Sequence, residues 1–183
     1  MKPTTGSNVE TLVSRDDLTR AKNLSDYIRN ARGESTALVD DWAVPFWPGV
    51  GYFVKQAHVS RGSMPATIRL EVWLDEDFID FAKAYVVERY LTNPGLTRAA
   101  HVKRLQMLRV LEVSLLALRD GASPLGIDGA VLEAAATLAR QTLAPAGAYK
   151  VGEELARLAD VLVRAAVLPA VYGTWVNPNK QPK

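Results

Sequence analysis

Between Asp75 and Pro169, apolar residues recur every three or four positions in four consecutive runs, each bounded by capping or helix-breaking residues. That period is the signature of amphipathic helices, and four in succession with short connections commit this stretch to an all-α bundle. The first run opens at Asp75, with Glu76, Asp77 and Asp80 where the helix dipole favours negative charge. It carries Phe78, Phe81, Ala82 and Tyr85 on one stripe and stops at Asn93-Pro94-Gly95. The second, capped by Thr97 and ended by Asp120 and Gly121, places Val102, Leu105, Leu108, Leu111, Leu115 and Leu118 on a broad apolar face that Val110 and Leu116 widen. It is the expected central helix. The third runs from Asp128 to Leu143 with Leu132, Ala135, Ala139 and Leu143 inward, and its Ala134–Ala136 run lets a neighbour approach closely. Pro145 and Gly147 are expected to close it. The fourth, from about Tyr149 to Leu168, aligns Val151, Leu155, Leu158, Leu162 and Ala165. Glu153–Arg157 and Asp160–Arg164 on it are acid-first pairs of the kind found on solvated faces.

The rest of the chain has a different texture. Residues 1–35 form a polar, charge-mixed arm with one short helical pattern at Leu18, Ala21, Leu24 and Ile28. Residues 36–74 interleave Trp42, Phe46, Trp47, Tyr52 and Phe53 with Pro45, Pro48, Gly49 and Gly51, a density of breakers that predicts loops and short extended pieces at Tyr52–Val54 and Thr67–Trp73. Those rings are expected to pack onto the neighbouring helical unit rather than to stack on bases, and Trp73 and Trp175 to be core or docking residues. Residues 170–183, with Pro178 and Pro182 and no helical period, predict an extended linker to a further domain. The expected architecture is therefore an irregular, loop-rich N-terminal segment, a helical domain over 75–169, and a linker.

Composition removes most chemistry. The 183 residues contain no cysteine, which excludes disulfides, thiolate metal sites and cysteine nucleophiles together. Two histidines, His58 and His101, do not stand at metal-ligand spacing, so no metal or other cofactor is expected. Gly49 and Gly51 lack the strand and helix that would make them a phosphate loop and read as a turn. Asp40 and Asp41 read as a solvated turn, and Ser60, Ser63 and His58 lack the elbow that would activate a serine. No run reaches the ~20 apolar residues of a membrane helix, and Met1–Asn8 has no secretory pattern, so the expected place is the cytoplasm.

The net charge of +2 is too small to imply a basic protein, so any affinity for a polyanion must be local. The start of the second helix supplies it: Arg98, His101, Lys103, Arg104 and Arg109 stand without an acid among them, with Lys83 on the preceding helix as a further candidate. They do not form a single stripe, since Arg98 and Arg109 lie together while Lys103 points elsewhere. The chemistry they suggest is contact with the phosphates of double-stranded DNA, which positions a protein without reading sequence.

The runs Phe78–Val86, Leu105–Leu118 and Tyr149–Leu155, together with Trp175-Val176-Asn177-Pro178, resemble the N-terminal part of phage-integrase-type tyrosine recombinases. The resemblance spans roughly Trp73 to Pro178 and rests mostly on packing residues. It implies a core-binding domain: a bundle of about four helices that clamps DNA, on which copies of the chain can assemble, while a separate domain performs strand transfer. That domain's arginines, lysine, histidines and nucleophilic tyrosine have no counterpart here, and Tyr85, Tyr90, Tyr149 and Tyr172 do not stand in such a setting. The resemblance thus implies DNA integration and recombination as the setting, with no catalysis by this chain. The competing reading is a helical protein-interaction or dimerisation domain without DNA affinity, in which the same basic residues are solvated helix charges. A small-molecule enzyme is disfavoured for want of a polar constellation.

Overall fold

The computed structural model describes residues 14–44, 46–53, 76–95 and 98–183. Five helices dominate them: α1 (Arg15–Glu34), α2 (Glu76–Thr92), α3 (Arg98–Leu118), α4 (Gly129–Thr142) and α5 (Pro145–Arg164), with 3-10 turns at Ser35–Ala37, Pro124–Gly126 and Ala170–Thr174. The helical reading of the chain holds at this level. The expected caps Asp75 and Thr97, the strand over Thr67–Trp73, and His58, Ser60 and Ser63 lie outside the described residues.

Helix α3 is central, packing against α2, α4 and α5. Met107, Leu108, Leu111 and Leu115 on it are fully buried among Phe78, Phe81 and Tyr85 of α2, Leu132 and Ala135 of α4, and Val151, Leu155, Leu158 and Leu162 of α5. Burying such side chains contributes about 1.5–3 kcal/mol each relative to exposure, which makes this shared face the main source of stability. The face differs from the one drawn on apolar residues alone. Val102, Leu116 and Leu118 are 43%, 43% and 44% exposed, while His101, Arg104 and Glu112 are buried. The helix is turned so that its N-terminal half directs polar side chains inward.

The described part of the N-terminal arm forms a 20-residue helix, Arg15–Glu34, rather than a short one. Ser14 caps it by accepting from the Asp17 amide at 3.0 Å, and Asp16 and Asp17 occupy its first turn. Leu24 and Ala31 bury, Leu18 stays 60% exposed, and polar bonds complete the docking. Arg20 donates to the Val167 and Leu125 carbonyls at 2.7 and 2.9 Å, Asn23 to the Ala166 carbonyl at 2.9 Å, and the Tyr27 hydroxyl to Glu88 at 2.9 Å. Residues 20, 23, 24, 27 and 31 thus make one stripe of helical spacing whose chemistry is half polar.

The aromatic segment forms a minimal hairpin: β1 (Phe46–Trp47) pairs antiparallel with β2 (Gly51–Tyr52), with Phe46 opposite Tyr52 and Trp47 opposite Gly51. Gly49 (φ +78°) is a turn residue, as expected, whereas Gly51 (φ +133°) belongs to β2 and brings the hairpin onto α3, where a Cβ would lie 3.0 Å from Leu105. Trp42, Trp47 and Phe53 are buried, edge to face, with centroids 5.5 Å apart for Trp42–Trp47 and 4.9 Å for Trp47–Phe53. Asp40 and Asp41 are exposed, and Asp41 accepts from the Ala43 amide at 2.9 Å, an ordinary turn contact.

Two boundaries differ from expectation. Asp128 caps α4 through the Val131 amide, but Pro145 begins α5 instead of closing α4. A proline at the first helical position costs no hydrogen bond and arrives with a helical φ. The helix ends at Arg164, where Ala166 (φ +53°) reverses the chain and the Val167 and Leu168 amides both donate to the Leu162 carbonyl. The tail is no extended linker as far as Asn179. Asn179 is buried and donates to the Ala136 and Ala148 carbonyls at 3.0 and 3.3 Å. Asn177 donates to the Tyr149 carbonyl at 3.0 Å and to Glu153 at 3.2 Å.

Candidate functional site

Glu154 sits in line with Val151, Leu155 and Leu158 on the core face of α5, and is 6% exposed. A carboxylate there is tolerable only with charged or strongly donating partners, since an unpaired buried charge is prohibitively costly. Three helices provide them. Its Oε1 accepts from the Tyr85 hydroxyl (2.9 Å) and Arg89 Nε (3.3 Å) of α2 and from Arg104 Nε (3.0 Å) of α3. Its Oε2 accepts from Arg157 Nη1 at 2.9 Å, one turn along α5. Burial alone would raise the carboxyl pKa, but the arginines, led by Arg104, and the Tyr85 hydroxyl hold it below its ordinary value. Burial, then the same carboxylate, pushes the Tyr85 phenol well above its usual range, which fixes it as a donor.

Arg104 extends the cluster. Its Nη1 lies 3.1 Å from His101 Nδ1, and because a guanidinium only donates, Nδ1 must accept and the imidazole is neutral. Burial first, and the neighbouring Arg104 second, lower the His101 pKa in agreement.

The junction of α2, α3 and α5 therefore gathers Arg89, Arg104 and Arg157 around one carboxylate. Two lysines adjoin it. Lys103, next to Arg104, donates to Gln106 at 2.9 Å and lies against Gly147, where a Cβ would stand 3.4 Å from its Nζ. Burial and nearby Lys150 lower the Lys103 pKa, so the two ammonium groups feel each other. Lys150 is exposed, Arg157 has a half-exposed side chain, and Arg89 reaches the surface at its edge. Three arginines meet Glu154, and Lys103 and Lys150 lie close to each other beside the first turns of α5, a local excess of cations that the overall charge conceals.

This arrangement redistributes the residues expected from the sequence to touch phosphates. Arg104 and His101 are 2% and 4% exposed and committed to internal partners, so as placed they organise the junction and do not reach a ligand. Lys83 is 2% exposed, its Nζ 2.6 Å from the Trp42 carbonyl and 5.7–5.9 Å from the ring centroids of Trp42, Trp47 and Phe53. It anchors the aromatic hairpin through cation–π contacts and is likewise withdrawn from the surface. Arg109 is half-buried, and burial lowers its pKa against the opposing pull of Glu112. Arg98 opens α3, and its side chain lies outside the described residues. Of the five whose side chains are described, only the half-buried Lys103 joins the cations near the surface of the junction. Arg89, Lys150 and Arg157 are additions. The expected Glu153–Arg157 pair gives way to Arg157–Glu154, whereas Asp160–Arg164 forms at 3.2 Å. One sequence signal does point to the junction: a glutamate in phase with the apolar face of α5 demands buried cations from neighbouring helices.

No helix among the described residues is long and apolar enough to cross a membrane, and no group of three or more potential ligands for a metal occurs among them. Comparison with protein-family models, curated proteins and solved structures yields no match to the chain.

Proposed function

We propose that the helical unit holds double-stranded DNA, as a core-binding module of a site-specific tyrosine recombinase whose strand transfer is carried out by residues outside this chain. The observation that carries the reading is the cation excess at the α2–α3–α5 junction, with Lys103, Lys150 and Arg157 at or near its surface. The sequence resemblance supplies the recombinase setting. Such a patch attracts a phosphate backbone by counterion release, an effect independent of base sequence.

The test is the salt dependence of binding to a fluorescent duplex. If Arg89, Lys103, Lys150 and Arg157 each neutralise one phosphate, the log–log slope should be about −3.6. Lys103→Gln with Lys150→Gln should bring it to about −1.8 without altering the thermal melt. Lys22→Gln with Arg29→Gln, which removes the two partners of Asp26 on α1, should change little. Equal weakening by both pairs, or no salt-sensitive binding at low ionic strength, would replace this reading with a protein-interaction domain. The exposed Val102 and Leu116 of α3 and Val171 and Val176 of the C-terminal segment favour that alternative.

A further inference from the structure

The division of labour among the arginines at Glu154 is uneven. Arg104 is enclosed and spends Nε on Glu154 and Nη1 on His101. Arg89 and Arg157 each spend a single nitrogen, Nε and Nη1 respectively, on opposite oxygens of the carboxylate. Their remaining nitrogens meet no acceptor among the described residues, and their side chains are 16% and 52% exposed. Two guanidinium planes held on the two oxygens of one buried carboxylate, each with unspent donors and that of Arg157 half-exposed, are arranged for another oxyanion. Arginine presents paired N–H groups in a rigid fork that matches the oxygens of a phosphate, which lysine cannot do. The side-chain entropy that flexible arginines lose on binding has already been spent on Glu154.

We propose that Arg89 and Arg157, aligned by Glu154, form a seat for a single phosphodiester group of a nucleic-acid backbone. Glu154 is a positioning residue that touches no ligand, and Lys103 and Lys150 contribute attraction without geometry. This assignment rests on the DNA-holding reading above and gives it a specific contact point.

Substitution of fork by point charge tests it on the full chain. Arg89→Lys and Arg157→Lys keep the charge, so the salt slope for duplex binding stays as in the parent. Each should lose about tenfold in affinity at fixed salt, the worth of a charged hydrogen-bond pair. Tyr27→Phe removes an uncharged donor from a carboxylate outside the seat, Glu88, and serves as the structural control. It should lower the melting temperature and leave affinity unchanged. Inorganic phosphate at constant ionic strength should neither raise the melting temperature in an Arg157-dependent way nor displace duplex. If both lysine variants bind duplex like the parent, the seat is overturned while the effect of Lys103→Gln with Lys150→Gln still upholds DNA holding. If Tyr27→Phe weakens binding as much as they do, the losses report general destabilisation and the seat is overturned. Arg157-dependent capture of inorganic phosphate would assign the seat to a free anion and overturn the nucleic-acid source. Absence of any duplex binding by the parent chain removes the DNA reading and the seat with it.

Discussion

Lys83 shows how far a side chain's role depends on what surrounds it. In the sequence it is one more cation on an amphipathic helix, but three aromatic rings and a carbonyl oxygen enclose it. Burial lowers its pKa, so its charge is retained at a cost that the Trp42 carbonyl and the ring faces offset. The neighbouring Asp80 ties the same indole, accepting from Trp42 Nε1 at 2.7 Å. Lys83→Ala should therefore destabilise the fold by about 2–3 kcal/mol, through lost packing and an orphaned carbonyl, when measured by urea denaturation. Duplex affinity should not change in conditions where the variant is folded. A variant as stable as the parent but weaker on DNA would return Lys83 to the binding surface. Arg104 teaches the same lesson at the junction. Its position among basic residues suggested phosphates, and only a buried glutamate fifty positions away explains where it points.

Elements were legible in proportion to how much of their docking face is apolar. Helices α2 to α4 follow from their apolar period because Phe, Leu, Val and Ala carry their contacts. The length of α1 was hidden because Arg20, Asn23 and Tyr27 dock it through hydrogen bonds that a hydrophobic pattern does not register. The docking of the tail escapes the pattern for the same reason, since its attachment depends on Asn177 and Asn179 inside a proline-marked stretch. Gly152 is the complementary half of that attachment: a Cβ there would overlap the Asn177 side-chain amide. Gly152→Ala should free the tail, making bonds beyond Trp175 more susceptible to limited proteolysis while the helical circular dichroism persists. An unchanged digestion pattern would show that the tail is held by other contacts. The α5 boundary carries a second prediction. Ala166 holds a left-handed backbone that costs a residue with a Cβ about 1–2 kcal/mol, at the position where helices commonly use glycine. Ala166→Gly should stabilise the protein by roughly 0.5–1 kcal/mol after the extra chain entropy of glycine is deducted. A loss of stability in urea would contradict the strain argument.

Across the whole molecule, charge is sorted by depth rather than by sequence position. Local composition located cations on α3 but could not say that α2 and α5 supply their companions, because that grouping exists only once three helices pack. The sorting couples stability to pH through two buried groups. His101 is neutral in the fold with its pKa below the ordinary 6.5, so the unfolded chain binds more protons as pH drops below that value and stability falls with it, levelling off beneath the folded pKa. Glu154 is ionised with its pKa below the ordinary 4.5. Its contribution is present above that value and is lost as pH falls through the folded pKa. Urea midpoints should accordingly be flat near neutrality, decline in a first step below about pH 6.5, and decline again below about pH 4.5. His101→Gln removes the titrating ring, and its side-chain oxygen is an acceptor suited to Arg104; it should erase most of the first step and leave the second. Glu154→Gln should instead lower stability at neutral pH, since three arginines lose their counter-charge, and flatten the second step. A first step that survives His101→Gln would assign it to another group, with His58 the only other histidine in the chain, and would break the link between the neutral imidazole and the packing of the junction.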